Sequence, residues 1–122
     1  MTESVELQMR KIFDEYIDEV QEQTNKTIDA VAKAAVLKLK STSPKRSGKY
    51  ARSWTKTDVR TRGKIKDVIV HNKEYQLTHL LENGHIVRNK KGTYGRAPAH
   101  PHIAPVEQWA IDEFESTLER KL

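Results

Sequence analysis

The longest regular feature of the sequence is a stripe of apolar residues that recurs at intervals of three and four from residue 5 to residue 39. This spacing places them on one face of an α-helix. It predicts one long helix, or two in line if the polar stretch at residues 21–25 interrupts it. The stripe consists of Val5, Met9, Ile12, Phe13, Tyr16, Ile17, Val20, Ile28, Val31, Ala35 and Leu39.

A continuous helix of this length would be about 50 Å long. Thr2 or Ser4 can cap its first turn, and Ser43 with Pro44 ends it. One small domain cannot cover so long a stripe by itself. We therefore expect part of the apolar face to contact another chain.

The stretch after this helix predicts a basic β-hairpin and a short helix. Residues 50–60 and 64–71 are rich in β-branched and aromatic residues and are joined by a turn at residues 61–63. Residues 73–82 return to helical spacing, and Gly84 supplies a left-handed end to that helix.

The last third of the chain predicts a second hairpin and a closing helix. Residues 86–88 and 93–96 are short extended pieces, and the final helix begins at Pro105. The pattern predicts a single domain over residues 1–122 of the α+β class. We expect a long N-terminal helix, a small antiparallel or mixed β-sheet from two hairpins, a short central helix, and a C-terminal helix packed on the sheet.

The composition excludes several kinds of chemistry. The 122 residues include no cysteine, which excludes disulfides, thiolate metal sites and a thiol nucleophile. The sequence holds no run of 18 apolar residues and no signal-peptide pattern after Met1, so we expect a protein that stays in the cytosol where it is made. Any catalysis must use His, carboxylates, Ser, Thr or Lys.

The net charge of +5 is distributed unevenly. Residues 44–66 carry nine basic side chains against one acidic side chain, Asp58, whereas both ends of the chain are acidic. Such a basic segment can hold nucleic acid by counterion release, or it can dock against an acidic face of another subunit. The charges alone leave both interpretations open.

Four of the five histidines fall between residues 79 and 102, which raises the question of a metal site. No pair has the i, i+4 spacing with an intervening Glu that is typical of a helical zinc site. A small histidine- and metal-dependent nuclease is the enzymatic alternative, because the segment VHNKEYQLTHLLENGH at residues 70–85 supplies the His, Asn and His of such an enzyme where a hairpin is followed by a helix. The structural interpretation is that the imidazoles bond backbone carbonyls where Pro98, Pro101 and Pro105 hold the chain extended.

Three segments together resemble a known family. They are SPKRSGKYARSW at residues 43–54, YQLTHLLENGH at residues 75–85 and GRAPAHPHIAPVEQ at residues 95–108. Their order and spacing are similar to those of the siphophage tail-completion, or head-to-tail joining, proteins of the gene-product-ten-like family. The resemblance extends over nearly the whole chain.

The resemblance implies an α+β virion protein without enzymatic activity, with no catalytic, cofactor-binding or metal-binding residues. It also implies a six-fold ring in the neck of the particle and a monomer when free. The implied partners are a head connector or head-completion protein and the tail tube protein, with genome DNA passing through the channel without sequence recognition and no membrane contact. A DNA-binding protein that uses the basic hairpin at residues 44–66 remains an alternative beside the nuclease.

Two sets of residues follow as candidates. The residues of the family motif, which we expect to have structural roles, are Gly48, Tyr50, Trp54, His79, Leu81, Glu82, Gly84, His85, Gly95, Arg96, His100, Pro101, His102 and Pro105. The candidates for a subunit interface or a channel lining are Lys45, Arg46, Arg60, Arg62, Lys90 and Lys91. We expect the first helix, or the hairpin at residues 50–71, to pack on a neighbouring subunit.

Overall fold

The long apolar stripe forms one uninterrupted helix in the computed structural model, which describes residues 4–45, 48–62, 64–89 and 92–122. Helix α1 spans Val5–Thr42, roughly 57 Å from the α-helical rise per residue. The Ser4 hydroxyl accepts the Leu7 N–H at 3.2 Å, so Ser4 is the cap. The polar stretch at residues 21–25 therefore does not interrupt the helix.

The remaining elements follow the predicted order, with one addition. They are helix α2 (Lys49–Arg52), strands β1 (Trp54–Arg62) and β2 (Ile65–Asn72), helix α3 (Tyr75–Asn83), strands β3 (His85–Asn89) and β4 (Gly92–Ala97), and helix α4 (Ile103–Lys121). The predicted α+β class is confirmed.

Two boundaries differ from the sequence-based expectation. Strand β1 begins at Trp54, and the predicted start at residue 50 was wrong because Gly48, at φ +79°, turns the chain into the single helical turn of α2. Helix α4 begins at Ile103, two residues before Pro105. Proline is compatible with this position because the N–H groups of the first helical turn have no intrahelical acceptor.

Each hairpin forms its own two-stranded antiparallel sheet, and the described residues show no pairing between the two. In the first, Trp54 pairs with Asn72 and Val59 with Asp67, with an irregularity between Val59 and Arg62. In the second, His85 pairs with Ala97. The expected sheet from two hairpins is thus two small sheets, each left with exposed edges.

The hydrophobic core lies against the C-terminal half of α1. Ala35 and Leu39 of α1 cluster with Tyr50, Trp54 and Val106, all of them buried. Helix α4 packs along α1, and Val106 in its first turns also joins the cluster that contains Trp54 of β1. The partly buried residues around this cluster are Val36, Val70, Leu81, Ile103 and Trp109.

Candidate functional site

Glu82, near the end of α3, caps the N-terminus of α4. Its Oε1 accepts the N–H groups of His102 at 2.7 Å and Ile103 at 2.9 Å, and its Oε2 accepts that of Ala104 at 3.0 Å. The fourth residue of this turn is Pro105, which has no N–H. One carboxylate therefore satisfies every free donor at the start of the helix, where the helix dipole also favours a negative charge.

His102 continues the network from Glu82 to Tyr50. Its ring Nδ1 lies 2.7 Å from the His100 carbonyl oxygen and 3.1 Å from Glu82 Oε1, and its Nε2 lies 2.8 Å from the Tyr50 hydroxyl. Because a carbonyl oxygen can only accept, we assign the proton to Nδ1, so that Nε2 accepts the Tyr50 O–H. The His102 side chain is 1% exposed, so both ring nitrogens are used inside the protein.

The pKa values of the two flanking groups shift in opposite directions. Burial, with a further contribution from the Glu82 charge, raises the pKa of Tyr50 to about 12. Burial of Glu82 acts to raise its pKa, but the three backbone N–H bonds, with a smaller electrostatic contribution from the His102 ring, outweigh it, so its pKa lies below the usual value. The network therefore holds a neutral tyrosine and an ionised carboxylate at neutral pH.

Tyr50 and Trp54 are fixed by polar contacts as well as by packing. The Trp54 indole N–H donates to Ser43 Oγ at 2.7 Å, at the end of α1. The Asn72 side chain donates to the Tyr50 carbonyl at 2.9 Å and accepts the Glu74 N–H at 2.7 Å. These bonds join α1, α2 and the end of the first hairpin.

Gly84 and Arg96 attach the end of α3 to the segment that leads into α4. Gly84 has φ +74°, and a Cβ atom there would lie 2.7 Å from the Ala97 carbonyl oxygen. The Arg96 guanidinium donates to the Asn83 carbonyl at 3.0 Å, and the His100 N–H donates to the Leu81 carbonyl at 2.7 Å. The segment with Pro98 and Pro101 is thus held close to α3.

The three motif segments therefore meet in one network. Tyr50 and Trp54 come from the first segment, Glu82 and Gly84 from the second, and His102 from the third. Each polar group named above already has a protein partner, which leaves this cluster suited to holding α3 and α4 against α1. Ser43 and Asn72 also belong to the network, in roles that the sequence did not predict: Ser43 was expected only to end the first helix, and Asn72 was considered only for the nuclease alternative.

His71, His79 and His85 are not part of this network. His79 is exposed on α3, and His71 Nε2 lies 2.7 Å from Thr57 Oγ1 across the first hairpin. His85 is partly buried, and its Nδ1 has no hydrogen-bond partner among the described residues. Among residues 4–45, 48–62, 64–89 and 92–122, no group of three His, Asp or Glu side chains could hold a metal ion.

The second candidate site is the N-terminal part of α1, which extends beyond the rest of the protein. Every residue from 4 to 19 is exposed, whereas the buried residues of α1 all lie between Thr27 and Leu39. We call residues 5–17 the arm. The apolar side chains of the stripe in this arm are between 49% and 71% exposed, and they are Val5, Met9, Ile12, Phe13, Tyr16 and Ile17.

The contacts at the base of the arm show where the body of the protein ends. Lys64, at the tip of the first hairpin, pairs with Asp18 at 3.3 Å, and Lys121, at the end of α4, donates to Thr27 Oγ1 at 3.3 Å. Residues 5–17 precede both contacts and extend for roughly 20 Å. The apolar stripe thus continues along α1 past the points where the hairpin and α4 reach it.

The predicted basic surface is partly engaged by α1. Lys66 pairs with Asp29 at 2.8 Å, which raises the pKa of Lys66. Asn25, in the polar gap of the stripe, donates to the Lys64 carbonyl at 2.7 Å and accepts the Lys66 N–H at 2.8 Å. From the sequence, Asn25 was expected only as part of a possible interruption of the helix.

The structure places only some of the candidate interface residues. Lys45 is exposed after the end of α1. Arg60 and Arg62 lie in β1, with side chains outside the described part of the structure. Arg46, Lys90 and Lys91 lie outside the described residues altogether. Their assignment to an interface or a channel stays a prediction.

No helix in the described part of the chain is both long enough and apolar enough to cross a membrane. The comparison with curated proteins and the comparison with solved structures found no match. Residues 8–84 match the family described as "Bacteriophage HK97-gp10, putative tail-component". This match covers more than half of the chain, from the first helix through the Tyr50, Trp54, Glu82 and Gly84 positions of the network. The chain belongs to this family of phage tail components, and it is a structural protein of the phage particle.

Proposed function

We propose that this protein assembles into a six-fold ring at the junction between the head and the tail of a tailed phage, and that the ring completes the tail and joins it to the head. Its partners are further copies of itself, a head connector or head-completion protein, and the tail tube protein. Genome DNA passes through the central channel without sequence recognition. The free chain is a monomer that assembles on these partners.

The exposed arm is the observation that carries this proposal. Monomeric soluble proteins rarely expose contiguous apolar patches of more than a few hundred Å². Six large apolar side chains along one face of a projecting helix form a surface suited to protein contacts. The buried network of Tyr50, Glu82 and His102, by contrast, has its polar groups paired within the chain, as expected for a scaffold.

The distribution of charge is compatible with a ring. A ring needs a heterologous interface, in which one face of a subunit meets a different face of the next. Residues 5–22 carry six acidic and two basic side chains, and residues 54–72 carry five basic and two acidic side chains. Copies arranged head to tail can bring these opposite charges together.

The proposal is tested by mixing the purified protein with DNA-filled heads and with tails that were prepared without it, followed by imaging of the junction. We expect a ring of density between head and tail and an increase in joined particles. Failure of the protein to bind either heads or tails would overturn the proposal.

Two matched variants test whether the arm is needed for the joining of heads and tails. Phe13→Glu places a charge on the apolar face, and Leu37→Glu places the same charge on an apolar residue of α1 that is 60% exposed but outside the arm. We expect the first variant to lose joining and the second to retain it. A double charge reversal at Arg60 and Arg62 that left joining intact would argue against a role for the hairpin in the interface.

The nuclease and DNA-binding alternatives gain no specific support from the described residues. Lys64 and Lys66 of the basic hairpin pair with carboxylates of α1, which reduces the positive charge available to a phosphate backbone. Incubation of plasmid DNA with the protein and Mg²⁺, Mn²⁺ or Zn²⁺ is expected to give no cleavage. DNA retention that falls steeply with salt concentration would revive the binding alternative.

A further inference from the structure

The body of the protein contains an apolar groove between α4 and the first hairpin. Its volume is about 410 Å³. Leu39 of α1 and Trp54 lie at its base, Val68 and Val70 form the hairpin wall, and Val106 and Ile111 line the α4 wall. Ile111 is 46% exposed, so the groove opens to the surface.

The arm carries the residue pattern of a helix that binds in such a groove. Met9, Ile12, Phe13 and Tyr16 lie at positions i, i+3, i+4 and i+7, which places four large apolar side chains on one helical face. These side chains are 49–64% exposed. The chain therefore presents both an unpaired apolar helix face and an apolar groove.

The arm cannot occupy the groove of its own molecule. The arm and part of the groove belong to the same continuous helix α1. The arm ends at Ile17, and Ala35 and Leu39 further along α1 line the groove. Ala35 is 18 positions after Ile17, which separates the two sites by roughly 27 Å along a helix axis. If an arm binds in this groove, it must then belong to a different molecule.

We propose that the arm of one copy lies in the groove of the next copy, with Met9, Ile12, Phe13 and Tyr16 packed between α4 and the first hairpin. The inference rests on the proposed ring, because it names the contact between neighbouring subunits. The two surfaces differ from one another, so repeated pairing links subunits head to tail and closes into a ring when the rotation permits.

Charge favours a second copy of this chain as the occupant. The hairpin that forms one wall of the groove is basic, and α1 around the arm is acidic. Within one molecule the hairpin already pairs Lys64 with Asp18 and Lys66 with Asp29 of α1. The same kind of contact is available between the hairpin of one copy and Glu15 of its neighbour.

Disulfide trapping tests the contact directly, because the chain has no cysteine of its own. Phe13→Cys and Ile111→Cys change exposed side chains, so both variants should fold, which circular dichroism checks. The two proteins are mixed at high concentration and, separately, on joined heads and tails, and are then oxidised. We expect a mixed disulfide dimer that forms about tenfold or more faster than with the control pair, because bound thiols react at high effective concentration.

The control pair replaces Phe13→Cys by Asp14→Cys, which adds an exposed cysteine next to the apolar face but off it. A double variant with Phe13→Cys and Ile111→Cys in one chain should give a ladder of linked copies that ends at the ring. Equal rates for the two pairs, or no cross-link with either, would overturn the proposal. Efficient dimerisation of Phe13→Cys alone would also overturn it, because it would mean that arms pair with arms.

The outcomes separate this inference from the proposed function. Joined particles in which the protein is present but no cross-link between residues 13 and 111 forms would overturn the arm-and-groove contact and leave the ring in place. A cross-link in solution together with no binding to heads or tails would support the contact and overturn the function at the junction.

Discussion

At the scale of single residues, Glu82 accepts more hydrogen bonds than any other side chain described above. It accepts three N–H groups from the start of α4, and it contacts the ring of His102. Residue 82 is twenty positions before the helix that it caps. The cap therefore also holds α3 against α4.

Replacement of Glu82 by Gln tests the contribution of this charge. We expect the variant to lose about 1–2 kcal/mol of the free energy of unfolding at neutral pH, since a charged acceptor at a helix N-terminus is exchanged for a neutral one. Urea unfolding measures the difference. Glu107→Gln changes an exposed carboxylate on α4, the helix that Glu82 caps. It is the control and should have little effect on the free energy of unfolding.

The lowered pKa of Glu82 determines how its contribution to the free energy of unfolding changes with pH. Because the pKa of Glu82 in the folded protein lies below the ordinary value of 4.5, its stabilisation is complete above that value and is lost as the pH falls through the folded pKa. We expect the difference in the free energy of unfolding between the wild-type protein and Glu82→Gln to disappear in this acidic range. Parallel stability curves for the two proteins would show that the charge contributes nothing.

Gly84 tests the close approach between α3 and the proline-rich segment. We expect Gly84→Ala to destabilise the protein by about 2 kcal/mol or more, from positive φ and from the clash of its Cβ with the Ala97 carbonyl. Gly95 also has a positive φ, of 119°, but a Cβ there would meet no atom within 4 Å. If Gly95→Ala costs as much in thermal unfolding as Gly84→Ala, the close approach has no energetic weight.

At the scale of elements, α1 is divided into two parts with different roles. Its C-terminal half forms the base on which α4 and the first hairpin pack, while its N-terminal part is exposed. The boundary lies near Asn25, whose side chain pairs with both the carbonyl of Lys64 and the N–H of Lys66. A polar residue in the apolar stripe thus positions the hairpin.

Replacement of Asn25 by Ala removes both of these hydrogen bonds. We expect a loss of about 1–2 kcal/mol and faster hydrogen exchange of the Lys66 amide. Gln8→Ala, at an exposed position of the arm, is the control and should leave the exchange of that amide unchanged. Unchanged protection of Lys66 in Asn25→Ala would mean that the hairpin is held by its other contacts.

At the scale of the whole molecule, the body should fold without the arm. Its buried apolar residues lie on α1 from Ala32 onward and on α2, β1 and α4, and none of them belongs to residues 5–17. The apolar surface of the arm contributes to stability only when another molecule covers it. The part of α1 that stabilises the fold is thus different from the part that we expect to act in assembly.

Removal of residues 1–17 tests this separation. We expect the shortened chain to melt within a few degrees of the full-length protein, because the exposed residues contribute little to the folded monomer. We also expect it to lose the ability to join heads and tails. A shortened chain that still joins particles would assign the arm no role in assembly, and a collapse of the melting temperature would place it in the folding unit.

The sequence by itself determined the elements whose signals are local. The three-and-four spacing from Val5 to Leu39 reflects neighbours within one or two helical turns, so the helix could be predicted without any knowledge of the rest of the chain. The same holds for the first hairpin, for a glycine of positive φ after α3, and for the α+β class. The motif segments, which were read as a resemblance, were sufficient to predict the family.

Only the tertiary structure decided which distant residues meet. Nothing local indicates that Glu82 caps a helix twenty residues later, that Trp54 donates to Ser43, or that Asn25 holds the hairpin, because those partners depend on how the elements pack. The periodicity of α1 shows which face is apolar but cannot show which part of that face is covered. Coverage is decided by where α4 and the hairpin end, and they leave Val5 to Ile17 exposed.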